Sequence, residues 1–180
     1  RVWSGRRLIP PLGREPYFSV LRDGTLFISV HFLKQDIRNT AGYVYSMLYR
    51  STDRGKTWVT TRIQTRDVPG AAEKQSIITG RNVVQLADGT LIFGVGAGHD
   101  REYLWRSTDG GKTWDKSRKC TYHGADATKS PFPFLGEAFY RQAKNGDLLA
   151  ITRVVPTLFP PIPGTRIPAQ KNDHYERMVL

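Results

Sequence analysis

At 180 residues the chain is long enough for one sizeable core, and 39% hydrophobic with 11% aromatic residues is the composition of a folded domain rather than a disordered tail. No run approaches the roughly 20 apolar residues of a membrane-crossing helix, and Arg1-Val-Trp-Ser-Gly-Arg-Arg7 lacks the apolar core of a signal peptide. The formal net charge of +11 comes from Lys and Arg scattered through loops and turns, which argues against nucleic acid as a partner, and the single cysteine, Cys120, excludes an intrachain disulfide.

Strand signals follow one another along the chain: Tyr17–Leu21, Thr25–His31, Tyr43–Tyr49, Val83–Leu86, Thr90–Val95 and Asp147–Thr152 are rich in β-branched and aromatic residues, and no segment carries a helical period. Asp23-Gly24, Asp88-Gly89 and Asn145-Gly146 sit between paired strands and predict tight hairpins. An eight-residue phrase occurs twice, at Ser51–Trp58 and Ser107–Trp114, with seven of eight positions identical and a period of 56 residues. In each copy an aspartate (Asp53, Asp109) can accept backbone N–H bonds, a glycine (Gly55, Gly111) can take a positive φ, and a serine (Ser51, Ser107) can close further local bonds. Trp58 and Trp114 then open a strand with a large apolar side chain.

Each unit therefore reads strand, Asx-Gly turn, strand, loop, strand, box turn, strand, which is a four-stranded propeller blade. The fold class is all-β. The first blade is expected at residues 14–66, the second at 78–118, and the third from about 135 to 180, where His174–Leu180 reads as its third strand. Two blades and most of a third cannot close a ring, so the chain reads as part of a propeller whose open faces need further blades or another chain to cover them. The proline-rich stretch Pro156–Pro168 reads as a stiff loop, either shaping the rim of a pocket or inserted at the surface.

In a blade the first two strands are antiparallel, so the residue about nine before the turn glycine meets the residue about seven after it. This pairs Arg14 and Glu15 with His31, Gly80 and Arg81 with Gly96, and Glu137 with Arg153. Charged residues recur at one end of otherwise apolar strands, which places a polar site at one mouth of the channel. The four histidines show no close metal-ligand spacing, and no metal is expected. His99-Asp100 follows the glycine-rich Gly94–Gly98 without the strand-to-helix setting of a phosphate loop.

The repeated phrase S-T-D-x-G-K-T-W resembles the Asp-box, or BNR, repeat of sialidases (neuraminidases) and related β-propellers, in which the box joins the outer strands of a blade away from the active site. Arg14-Glu-Pro16, ahead of Asp23-Gly24, is similar to that family's R-I-P start, and Glu137 and Arg153 stand sixteen apart like its catalytic glutamate and second triad arginine. The resemblance implies a six-bladed propeller that hydrolyses terminal sialic acid or a related acidic sugar with retention and without a cofactor. It also implies a secreted or periplasmic setting and no membrane partner. Glu137 would be the base that activates a tyrosine nucleophile, Arg14 and Arg153 carboxylate clamps, and Arg81 and His31 further contacts at the mouth. Asp36, on the loop before the first box, is the candidate acid/base. The nucleophilic tyrosine and third arginine would come from later blades. Three positions depart from the family pattern: Glu15 replaces a hydrophobic residue, His31 an acidic one, and Asp36 stands a few residues early. These departures fit the other expectation for this fold, a non-catalytic propeller that binds glycans or proteins.

Overall fold

The computed structural model describes residues 13–97, 101–118, 137–154 and 175–178. Ten strands run through them: β1 (Arg14–Val20), β2 (Leu26–Phe32), β3 (Tyr45–Ser51), β4 (Val59–Ile63), β5 (Ile77–Gln85), β6 (Leu91–Ala97), β7 (Arg101–Ser107), β8 (Phe139–Gln142), β9 (Leu148–Val154) and β10 (Tyr175–Met178). They form three antiparallel sheets, β1-β2-β3-β4, β5-β6-β7 and β8-β9-β10. The helical content among the described residues is one 3-10 turn at Thr65–Asp67. The all-β expectation holds. Cys120, His99, His123, His174 and the Pro156–Pro168 loop lie outside the described residues.

The three Asx-Gly turns share one geometry. In the first, Leu21 N–H donates to Thr25 O and Gly24 N–H to Leu21 O, while Asp23 Oδ1 accepts from Thr25 N–H at 2.8 Å. The same bonds recur around Gly89 and Gly146, and all three glycines have φ between 84° and 97°. These are three-residue hairpin loops closed by a left-handed residue, and glycine alone adopts that conformation without strain.

Both Asp boxes are satisfied within themselves. Ser51 Oγ donates to Asp53 Oδ1 at 2.8 Å and accepts from Gly55 N–H, while Thr57 reaches Asp53 through its N–H (2.9 Å) and its hydroxyl (2.6 Å). Ser107, Asp109, Gly111 and Thr113 repeat the pattern. Side-chain bonds from Thr57 and Thr113 are the chief reason that Asp53 and Asp109 are held well below the usual carboxylate range. The boxes end on tryptophans used differently. Trp58 donates Nε1–H to Gly55 O, whereas Trp114 packs among Phe27, Phe93 and Trp105 with ring centroids 6.0–6.4 Å away.

The main core lies between the first two sheets, where Phe27, Leu48 and Ile63 meet Ile77, Leu91, Phe93, Val95 and the fully buried Trp105. The second box closes over it: a Cβ at Gly111 would stand 2.5 Å from the Phe27 ring. On its other side the first sheet carries a smaller cluster around Val30, Phe32, Tyr45 and Tyr49. β5 is the strand between sheets, packing on β2 of the first and β8 of the third. Its ladder with β6 is broken by a register shift between Thr79 and Val83.

Two outcomes follow from the boxes. Because the folded carboxyls of Asp53 and Asp109 are depressed, their stabilisation is present above the unfolded value of roughly 3.9 and is lost as pH falls through the folded values. A D53N/D109N double variant should therefore show a flatter fall in urea midpoint below pH 4 than wild type; parallel curves would contradict the assignment. Gly111→Ala, which needs both a left-handed Cβ and room against Phe27, should cost about 1–3 kcal/mol in urea unfolding.

Candidate active site

The polar mouth forms where β1, β2, β5 and the residues leading into β8 converge. Each side chain arrives there for a local reason. β1 and β2 pair in the expected register, with Arg14 opposite His31, and a shift between Arg14 and Tyr17 leaves Glu15 outside the regular ladder. Gly13, just before, must be glycine-sized because a Cβ would overlap His31 O at 2.2 Å. In β5 the register departs from the sequence expectation: Ile78, not Gly80 or Arg81, stands opposite Gly96. The bulge that causes this spends its backbone on the neighbouring sheets. Arg81 N–H donates to Ala138 O at 3.0 Å, and Gly80 O accepts from Ser29 Oγ at 3.3 Å. Asn82 exchanges two bonds with the backbone of Tyr140, both 2.8 Å. A Cβ at Gly80 would meet Ala138 O at 2.9 Å, so the close approach of the third sheet depends on this glycine.

Glu137 precedes β8 and is 6% exposed, with its carboxylate 3.5 Å from Arg81 Nη2. Arg81 also lies over the Tyr17 ring, 4.9 Å from its centroid. Glu15 Oε1 is 3.1 Å from Arg14 Nε, and its other oxygen is 4.0 Å from His31 Nδ1. One ring nitrogen of His31 and one carboxylate oxygen each from Glu15 and Glu137 lie within 4.8 Å of one another. Both glutamates sit on left-handed backbone, φ 54° at Glu15 and 77° at Glu137. That conformation costs a non-glycine residue of order 1–3 kcal/mol, and the surrounding structure must impose it.

His31 is buried and its ring is fixed by Thr79. The Thr79 backbone N–H donates to Nε2 at 3.1 Å, and the Thr79 hydroxyl is 3.2 Å from the same nitrogen. A backbone N–H can only donate, so Nε2 is the acceptor and the neutral ring carries its proton on Nδ1. Burial is the main cause of a pKa below the ordinary 6.5, only partly offset by the charges of Glu137 and Glu15. The Glu15-His31-Glu137 grouping has the residue types of a metal site, but its hydrogen bonding does not suit one. A metal on Nδ1 would require the proton on Nε2, where the Thr79 N–H already points. What the grouping offers is one donor and two acceptors.

The other sequence candidates fall elsewhere or are only partly described. Arg153 pairs through its backbone with Glu176 on β10, and the β8-β9 ladder ends at Phe139 and Ile151, ahead of Glu137. Asp36, in the loop after β2, is bound by Arg38 through its backbone N–H, Nε and Nη2 at 2.9, 2.9 and 2.6 Å. Those bonds hold its pKa down to about 2. A carboxyl so firmly ionised is a poor proton donor near neutral pH. Sequence reasoning placed Glu15 at the mouth opposite His31 but gave it no role beyond a departure from the family pattern, and it overlooked Thr79 and Tyr17. The available signal was Gly80, since a lone glycine inside a strand marks a bulge or a close backbone approach.

Residues 48–61 match the BNR-Asp box repeat model. Two solved structures share the fold over 77% of this chain. One is a Hadza microbial sialidase, with a TM-score of 0.52 at 20% identity; the other is the alpha-L-arabinanase of Penicillium chrysogenum, complexed with arabinobiose, at 0.51 and 24%. The fold is that of a β-propeller, and it carries a BNR-Asp box repeat. This propeller chain spans 28% and 40% of those two proteins. A Paenibacillus sp xyloglucanase is 36% identical over 72 residues, an alignment covering 38% of this chain and 6% of that protein.

The locked imidazole of the propeller mouth is open to a direct check. Nitrogen-detected NMR should show His31 as the Nδ1–H tautomer, titrating below 6.5. Since the folded pKa is the lower one, the ring's contribution to stability is complete above the unfolded value and is lost as pH falls below it. A midpoint at or above 6.5, or an Nε2–H tautomer, would overturn this arrangement.

Proposed function

We propose that the protein is a glycoside hydrolase of exo-sialidase type, releasing terminal sialic acid or a related acidic sugar with retention of configuration. The observation that carries this reading is Glu137: a buried carboxylate on left-handed backbone, beside Arg81, where three sheets meet. A carboxylate so placed can drive the nucleophilic half of glycoside hydrolysis, which in the sialidase scheme means taking the proton of a tyrosine nucleophile. Arg14, Arg81 and Arg153 supply the guanidinium groups that suit a sugar carboxylate, because a planar fork of donors matches its two oxygens. Similarity to a sialidase, an arabinanase complexed with arabinobiose and a xyloglucanase supports a sugar ligand at the mouth.

A second reading, a non-catalytic glycan-binding propeller, is favoured by the Arg14–Glu15 contact. At 3.1 Å, Glu15 takes up the arginine that should grip the substrate. Assays with 4-methylumbelliferyl sialoside and a 4-nitrophenyl arabinofuranoside separate these readings. The sialoside should be cleaved in preference, and Glu137→Gln should lower turnover roughly 10²–10⁴-fold. Binding of sialyllactose without cleavage of either probe would replace the hydrolase with the binding propeller.

A further inference from the structure

A second recess opens at the same end of the blades as the mouth. In the first sheet His31 stands opposite Ser46 and Ser46 opposite Ile63, so the start of β3 and the end of β4 lie at the end that carries His31. Two strand spacings put Ile63 roughly 10 Å from His31. Just beyond, Tyr43 and the β4-β5 loop enclose a cleft of about 650 Å³. We propose that this cleft is a subsite for the sugar that follows the terminal one, and that it selects a second acidic sugar there. The proposal rests on the hydrolase reading and adds the substrate class on the far side of the cleaved bond.

The walls are amphipathic. Tyr43, Val68, Pro69 and Ala71 form the apolar side, while Gln64, Arg66 and Lys74 line the polar one. Gln64 Nε2 reaches the Tyr43 hydroxyl at 3.4 Å and so steadies the ring. A recess of roughly 300–1,000 Å³ with apolar walls and a few convergent polar groups has the size and character of a small-ligand site. A pyranose, apolar on its faces and polar at its edge, matches that lining. The loop is also fixed in advance. Gln64 N–H donates to Asp67 Oδ2 and Asp67 N–H to Gln64 O, both at 2.9 Å. Lys116 Nζ donates to Asp67 Oδ1 at 2.8 Å, the Tyr103 hydroxyl to Pro69 O at 2.8 Å and the Thr65 hydroxyl to Gln75 O at 3.2 Å. Walls ordered before binding leave less freedom to be lost on binding. Within this frame Lys74 sits on left-handed backbone, φ 58°, which a lysine keeps only where its surroundings impose it.

Charge gives the class of sugar. In the mouth Arg14 and Arg81 each face a glutamate, at 3.1 Å and 3.5 Å. Arg66 and Lys74 are exposed and form no ion pair among the described residues. Glu73 lines the same cleft, so two cations stand against one carboxylate. Arg66 can meet a ligand carboxylate with paired donors and Lys74 with a point charge. A neutral second sugar would use the apolar side alone and gain nothing from either cation.

The experiment compares wild type with an Arg66→Gln/Lys74→Gln double variant on disialyllactose, sialyllactose and 4-methylumbelliferyl sialoside. After the cleaved sugar these carry an acidic sugar, a neutral sugar and no sugar. Circular dichroism melts establish that the variant folds; both changes replace exposed side chains and leave the bonds of the loop in place. Wild type should show a higher kcat/KM on disialyllactose than on sialyllactose. The double variant should lose roughly tenfold on disialyllactose, through KM, and far less on the other two. If wild type cleaves sialosides without that preference, or the folded double variant keeps the preference or loses equally on all three, the cleft assignment falls and the hydrolase stands. If folded wild type cleaves none of the three, the hydrolase reading falls and binding decides the cleft. Amide NMR shifts at residues 64–74 on adding disialyllactose, lost in the double variant, would keep it; their absence from wild type would remove it.

Discussion

The bulge in β5 is the constraint on which the mouth depends. A regular strand gives its backbone groups to the strands beside it in its own sheet. Between Thr79 and Val83, β5 gives several of them to other sheets instead: Thr79 N–H to His31, Gly80 O to Ser29, Arg81 N–H to Ala138 and Val83 N–H to Ser19. One irregularity thus fixes the first sheet on one side and the third on the other. Remove it and the polar groups at the mouth lose their common frame, although each sheet keeps its own ladder. Buried backbone groups must find partners somewhere. Here the choice of partners is what joins one blade to the next.

The turns follow the opposite logic. In the Asx-Gly loops and the Asp boxes the Asp, Ser and Thr side-chain bonds that shape each turn are made within a few residues, and longer-range bonds such as Arg22 to Gln85 and Leu86, Ala87 to Gln142 and Arg50 to Gly110 then tie neighbouring turns together. Their contribution to packing comes at the edges, through Trp114 and the bare face of Gly111 against Phe27. Self-contained turns and mutually dependent strands divide the work. The first set strand register and the second set the relation between sheets.

That division also explains how much was legible in the sequence. Local devices leave local signatures, so the repeated Ser-Thr-Asp phrase, the Asx-Gly pairs and the alternating strands announced the architecture, and Arg14 opposite His31 came from counting along a hairpin. The same counting misplaced Arg81, because a bulge adds residues to one strand without a pattern that counting can detect. Asp36 looked available because a loop aspartate carries no mark of the arginine two residues on that binds it. Glu15 looked like an intrusion. Only the approach of a second sheet brings it near Glu137, and no spacing within one hairpin encodes that approach.

The locked neutral state of His31 bears on how the molecule would meet a large polyanion such as a heavily sialylated glycan coat. With an uncharged imidazole, the described charges of the mouth cancel in pairs, Arg14 with Glu15 and Arg81 with Glu137. These four residues add nothing to the formal net charge of +11. On the hydrolase reading, attraction over a Debye length of roughly 8–10 Å would act on the body of the particle, while the mouth would discriminate at contact by the fit of donors and acceptors. Salt in the medium would weaken the capture of such a coat and leave the choice among its individual sugars largely untouched.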